Sequence, residues 1–416
     1  MITEMEANRF ATYSLNDSRI LRILSVALNA VKPYRAVTNH IPKMEGNTHG
    51  LAIGKAAIPM LTALAESIPL LSALAISKHA SSPHFNLFPV LLGGHPIPDA
   101  RSVYAGERVL EYVSSLKQED TLVCLISGGG SALVTVPLIP LEQLQALTSE
   151  LLACGARIDE INTVRRHLDR VKGGGLAFAT RARIVSLILS DVIRNPLEAI
   201  ASGPTAPDPT TKEDASMILK KYGLESYVPA SSLKSTLPFP LPRVQNIIIG
   251  DNKLAAQAAQ EQAKREGFDS EILTNELEGE ARAVGILLAQ KIRYEKSKRD
   301  APFCLIAGGE TTVTLRGNGR GGRNQELALA AVNELRGLEN VMLISIATDG
   351  EDGPTDAAGA VVTGQSARRA EALGLDATDY LSKNDAYPFF DSLGDLIKTG
   401  PTGTNVNDLV FLFRTE

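Results

Sequence analysis

The chain has only three cysteines, Cys124, Cys154 and Cys304, and no two of them stand at a metal-ligand spacing. An odd, unspaced set excludes a disulfide framework. Two of the three fall in apolar runs that read as strands, so buried reduced thiols and a reducing compartment are expected. The six histidines show no paired ligand spacing either. His95, between Gly94 and Pro96, is the one in an unusual loop, and a structural role is expected for it. Nucleophilic catalysis finds no support, because neither GxSxG nor a Cys/His pattern occurs. No apolar run reaches the ~20 residues of a membrane span. The opening MITEMEANRF is acidic where a secretory signal would carry an apolar core. A formal charge of −5 argues against non-specific nucleic-acid binding, so any anionic ligand must be drawn by local charge. A cytoplasmic protein without membrane or nucleic-acid partners is expected.

What is present points to α/β architecture. A chain of 416 residues exceeds what one core usually supports, which predicts two domains. Hydrophobic content of 44%, charged content of 21% and 34 glycines fit a globular α/β protein. Helical spacing of apolar residues predicts an opening helix over 18–31. Strands are expected at 74–77 and 87–92, and helices at 103–116, 141–154, 279–296 and 366–373. Uninterrupted apolar runs such as TLVCLI and RIVSLIL, set between helices, mark a parallel sheet buried on both faces. The proline- and serine-rich run SSLKSTLPFPLPRV is the best linker candidate, which gives domains at 1–240 and 241–416. Alternation of strands and helices predicts doubly wound architecture on both sides of it.

The unusual residues fall at strand ends, where open α/β sheets bind ligands. From residue 303 the chain reads FCLIAGGETTVTLRGNGRGGRNQELAL. There an apolar strand ends at Glu310, and a loop with Gly317, Gly319 and Gly322 opens a helix near Arg323. Glycines and a helix start offer backbone N–H groups to an anion, and Arg320 and Arg323 add charge. Lys55, in AIGKAA, stands where a strand hands over to a helix, a poor place for a cation unless an anion balances it. It is not a Walker A lysine, since Ala56 stands where Ser or Thr would hold magnesium. The SGGGS run, Ser127, Gly128, Gly129, Gly130 and Ser131, offers successive N–H groups and two hydroxyls suited to phosphate or carboxylate oxygens. Asp191 and Asp349 each follow a buried strand, a position for a magnesium ligand, a general base or a helix cap. Asn405 and Asp408, in TGTNVNDL, are contact candidates or turn formers. Gly317, Gly319 and Gly322 also satisfy the dinucleotide pattern GxGxxG. The preceding TTVTLR alternates as a half-exposed antiparallel strand does, whereas a first Rossmann strand should be buried on both faces.

Taken together, GKAA, GGHPIPD, LISGGGSAL, INTVRRHLDRVKGGGLA, SDV, IASGPT, GGETTVTLRGNGRGGRNQELAL, ATDGEDGPTDAAGA and GPTGTNVND run through nearly the whole chain in order. They resemble the glycerate 2-kinase family, whose C-terminal part is the MOFRL domain. The resemblance implies a Rossmann-like doubly wound N-terminal domain and a smaller α/β MOFRL domain with a mixed sheet, at about 302–416, with the active site in the interdomain cleft. It implies phosphorylation of D-glycerate at the 2-hydroxyl with ATP and Mg2+, and Lys55 and Arg323 as catalytic positions. On that basis Asp191 is the expected base, and Asp349 and Asp408 are the magnesium contacts. The SGGGS run, Glu310, Asn405 and the loop glycines are expected to hold nucleotide or glycerate oxygens. An oligomer is compatible with this reading. Some relatives carry the label hydroxypyruvate reductase, so a nicotinamide-dependent reductase is the alternative. After SDV the family continues Pro-Gly-Asp, whereas this chain has Ile193, Arg194 and Asn195.

Overall fold

The structure, a computed structural model, describes residues 5–41, 43–44, 46–79 and 88–416. It contains two six-stranded sheets. The first is built from β1 (Thr48–Ile53), β2 (Ser72–Ser77), β3 (Val90–Leu92), β4 (Thr121–Ile126), β5 (Arg183–Leu189) and β6 (Val244–Gly250). Its order is β3-β2-β1-β4-β5-β6, and the ladders joining β1 to β5 are parallel. Every residue of β1 and β4 is buried, including Thr48 and His49 of β1, as central strands of a sheet covered on both faces require. Leu51, Ile53, Leu122, Ile126, Ile184 and Ile188 form the centre of this core. Cys124 is buried there too, and burial pushes its thiol up to about 12, which leaves it inert. Leu87, the start of one predicted strand, lies outside the described residues; the strand itself is Val90–Leu92.

The second sheet differs from the doubly wound expectation. Its strands are β7 (Asp269–Leu277), β8 (Phe303–Gly309), β9 (Val341–Ala347), β10 (Gly359–Thr363), β11 (Leu396–Ile397) and β12 (Asp408–Arg414), in the order β11-β10-β9-β12-β8-β7. Only β7 and β8 pair in parallel; β12 runs antiparallel to both β8 and β9, so the sheet is mixed, as the family resemblance implied. Helices Ala281–Lys298 and Arg323–Leu335 cover it, and Leu288, Ile292, Leu327 and Val332 pack against Leu305, Leu343 and Leu412. The alternating segment after β8 is not a strand. Apart from an isolated bridge between Glu280 and Thr312, its polar groups turn to side chains: Thr314 N donates to Glu280 Oε1 (3.1 Å) and Arg316 N to Asn384 Oδ1 (2.6 Å).

The chain divides into two compact units, Pro33–Ile249 and the residues up to Lys32 together with Gly250–Glu416. The expected division at 240/241 is therefore displaced, and the N-terminal helix belongs with the C-terminal part. That helix, Ser18–Ala30, is capped by Asp17 and buries Ile20, Ile23, Leu24, Ala27 and Leu28. It packs on helix Asn252–Arg265, and the Arg22 guanidinium forks onto Glu266 at 2.7 Å through both nitrogens. The proline-rich run is not a free linker. Phe239 lies edge-on to Phe178 at 5.6 Å, and Arg243 Nη2 donates to the carbonyls of Ala177 (2.8 Å) and Thr180 (2.9 Å).

Candidate active site

In the Pro33–Ile249 unit the strand order reverses between β1 and β4, the place where such sheets take ligands. Lys55 follows β1 and Ser127 follows β4. The two turns are laced together: Lys55 N donates to Gly128 O at 2.9 Å, Ala56 N to Ser127 Oγ at 3.0 Å. Gly54 has φ +127°, and any Cβ there would overlap Ser127. The Lys55 backbone is thus fixed while its side chain stays exposed. Gly128 lies so close to the Asp191 carboxylate, beyond the end of β5, that a methyl group would collide with it. The structure therefore brings together Lys55, the SGGGS turn and Asp191.

It also adds residues that the sequence reading missed. Ser131 Oγ lies 2.7 Å from Ser202 Oγ. Ala201 and Ser202 have φ of 51° and 60°, and Arg194 and Asn195 have 66° and 53°, conformations that cost non-glycine residues energy. The first pair is held from behind, since Gly173 N donates to Ser202 O (2.9 Å) and Gly174 N to Gly203 O (2.7 Å). The strings KGGG and IASGP were the visible signal, but nothing in them shows that they meet.

The other unit gathers its polar residues at one end of its sheet. Because β12 runs antiparallel to its neighbours, its first residue, Asp408, stands between Gly309 of β8 and Ala347 of β9. Glu310 and Asp349 follow those two strands. Arg323, first residue of its helix, bridges the group: Nε and Nη2 donate to the two Asp408 oxygens at 2.5 and 2.9 Å, and Nη1 lies 3.1 Å from Glu310 Oε1. Burial pushes the Asp408 carboxyl up to about 7, against the opposing pull of the guanidinium. Asn407 Nδ2 donates to Glu310 Oε2 at 2.9 Å, and Asn405 Oδ1 accepts from Asn407 N at 3.1 Å, so Asn405 shapes the turn before β12.

Asp408, expected as a magnesium contact, engages Arg323 with both oxygens. The glycine loop is not an open anion cradle. Gly317 N donates to Asn384 Oδ1 (3.1 Å), Gly319 N to Lys383 O (3.0 Å) and Arg320 N to Asp385 Oδ1 (2.8 Å). Side chains at Gly317, Gly319 or Gly322 would collide with Lys383, Asp385 or Asp352, so these glycines serve close packing. The helix start behind them is taken by the buried Asp352 carboxylate, which accepts from Asn324 N (3.1 Å) and Gln325 N (2.9 Å). With no strand directly before the loop, and with Gly317 N, Gly319 N and Arg320 N already engaged, the dinucleotide pattern loses its structural context.

Comparison with known proteins agrees with this architecture. Residues 19–236 match a domain of unknown function, DUF4147, and residues 303–408 match the MOFRL family. The chain is 44% identical to the D-glycerate 2-kinase of Thermotoga maritima, over 94% of this chain and 96% of that one. It is 39% identical to the glycerate 2-kinase of Pyrococcus horikoshii, over 95% and 97%. A putative hydroxypyruvate reductase of Agrobacterium vitis is 38% identical over 93% and 92%. Among solved structures, a glycerate kinase from Thermotoga maritima superposes with a TM-score of 0.90 at 43% identity, covering 94% of this chain and 98% of that one. Strand-end chemistry, a mixed second sheet and likeness along almost the full length lead to one conclusion: the chain belongs to the glycerate 2-kinase family that carries the MOFRL domain.

Proposed function

We propose that the protein transfers the terminal phosphoryl group of ATP to the 2-hydroxyl of D-glycerate, giving 2-phosphoglycerate and ADP. The observation that carries this reading is the chain-long likeness to the Thermotoga maritima D-glycerate 2-kinase. The strand-end residues then supply roles. Phosphoryl transfer depends on positioning and charge neutralisation more than on covalent chemistry. Lys55 contributes an ammonium on a fixed backbone, and Arg323 a guanidinium already oriented by Asp408 and Glu310, so neither needs large reorganisation when charge develops. Asp191 acts as the base that takes the hydroxyl proton. The SGGGS turn holds anionic oxygens of nucleotide or acid.

Magnesium fits this donor set as an ion that arrives with the nucleotide, because it keeps waters and uses one or two carboxylates beside phosphate oxygens. Asp349 is the carboxylate that would hold it; its Oδ1 accepts from Glu351 N at 3.1 Å, which orients the group. Such an ion neutralises phosphate charge. A cytoplasmic location, where ATP is available, belongs to the same reading. Among the described residues no helix is long and apolar enough to cross a membrane.

Phosphorus NMR of the product made from ATP, magnesium and D-glycerate tests the proposal, with 2-phosphoglycerate and ADP expected. Phosphorylation at the 3-position would overturn the regiochemistry. Hydroxypyruvate-dependent oxidation of NADH without ADP formation would replace the kinase by the activity named for the Agrobacterium relative.

A further inference from the structure

The loop between β3 and helix Ala100–Ser114 is fastened along its length. Ser102 Oγ accepts from Gly94 N (2.9 Å) and Asp99 N (3.2 Å), and Gln145 Nε2 donates to Pro98 O (2.7 Å). Gly93 presses on the Leu133 backbone with no room for a side chain. His95, inside this loop, is half-buried, yet among the described residues neither ring nitrogen has a hydrogen-bond partner. Its ring stands over Gly129. A Cβ at Gly129 would lie 3.0 Å from His95 Cδ2, 3.2 Å from Nε2 and 3.2 Å from Lys55 Cγ. The imidazole, the lysine stem and the middle glycine of SGGGS thus converge on one small space.

The charged groups around it are Lys55 from the turn after β1, Lys78 after β2, and the Asp191 carboxylate beyond Gly128. Burial first, and the two lysines second, push the imidazole down to about 4. It is therefore neutral near pH 7, with one N–H to donate and one lone pair. A neutral donor packed on the glycine turn, its ring nitrogens unpartnered among the described residues and an exposed lysine beside it, is suited to an oxyanion.

We infer that His95 is a ligand-binding residue that, together with Lys55, holds an anionic oxygen beside the SGGGS turn by donating its ring N–H. The inference rests on the kinase reading for the identity of the ligand, whose oxygen belongs to the carboxylate of D-glycerate or to a phosphate of the nucleotide. Side-chain NMR of the intact protein distinguishes the two, with the His95 resonance assigned by its loss in His95→Gln. An anion placed beside the ring favours its protonated form. Saturation with D-glycerate or with ADP should therefore raise the pH at which His95 titrates, and the ligand that does so is the source. Kinetically, His95→Gln should raise KM for that ligand about tenfold with kcat within about threefold, the signature of lost ground-state binding. The inference fails if neither ligand moves the titration, or if His95→Gln keeps both KM values. Should wild-type protein make no 2-phosphoglycerate, the kinase reading fails instead. Titration with inorganic phosphate then still decides whether His95 meets an oxyanion.

Discussion

Arg323 is held by two carboxylates, one opening β12 and one just beyond β8, and its value lies in the planar fork that meets Asp408 while a third nitrogen reaches Glu310. Lysine cannot reproduce that geometry. Arg323→Lys should therefore lower kcat/KM by about a hundredfold, a typical loss for one preorganised hydrogen-bond donor, with an unchanged circular dichroism spectrum. Its partner adds a pH dependence. Asp408 ionises near 7, so below that pH the carboxyl is neutral and the pair incomplete. We expect kcat/KM to rise with pH through about 7 and this limb to vanish in Asp408→Asn, as read from a pH–rate profile. The clustering of part of the candidate site was legible in the sequence: Lys55, the SGGGS turn and Asp191 are unusual residues at strand ends, and strand ends converge. The Arg323–Asp408 pair was not, because its members lie 85 positions apart and the sequence assigns Arg323 to a ligand anion and Asp408 to a metal or a turn, never to each other.

Helix Arg323–Leu335 begins without a capping side chain of its own, since Gly322 occupies the N-cap. Asp352 from a distant loop fills the role. Removing it in Asp352→Ala leaves two buried N–H groups unpaired and should cost about 1–3 kcal/mol, seen as a lower urea midpoint. Gly319→Ala should also destabilise, because its methyl group would meet Asp385 and Lys383, and this loss would appear without any nucleotide present. A loop built to bind phosphate would instead lose nucleotide affinity and keep its stability. The glycine pattern was visible from sequence, but the destination of its N–H groups was not. Asn384, Lys383 and Asp385 lie more than sixty residues on, and no local spacing announces them. The segment at 311–316 misled for a related reason: alternation describes which faces are apolar, whereas a strand also needs a neighbouring backbone to pair with.

For the whole molecule, the sequence showed two α/β halves because apolar strands alternate with helices, while the owner of the first helix stayed hidden. Amphipathic spacing says that Ser18–Ala30 buries one face, and says nothing of which surface receives it. Leu24 is fully buried in the unit that contains Gly250–Glu416. Leu24→Ala should destabilise that unit by about 2–5 kcal/mol. In a calorimetric scan resolving two transitions, one should move and the other, belonging to Pro33–Ile249, should stay. The placing of β12 between β8 and β9 has a consequence for synthesis. Both neighbours leave the ribosome long before residues 408–414 exist, so each waits with an unpaired edge that can recruit other chains. The strand that closes the sheet also delivers Asp408 to Arg323. Completion of the sheet and readiness of the arginine are therefore one event, and a nascent chain halted before residue 408 would be at once sticky and inactive.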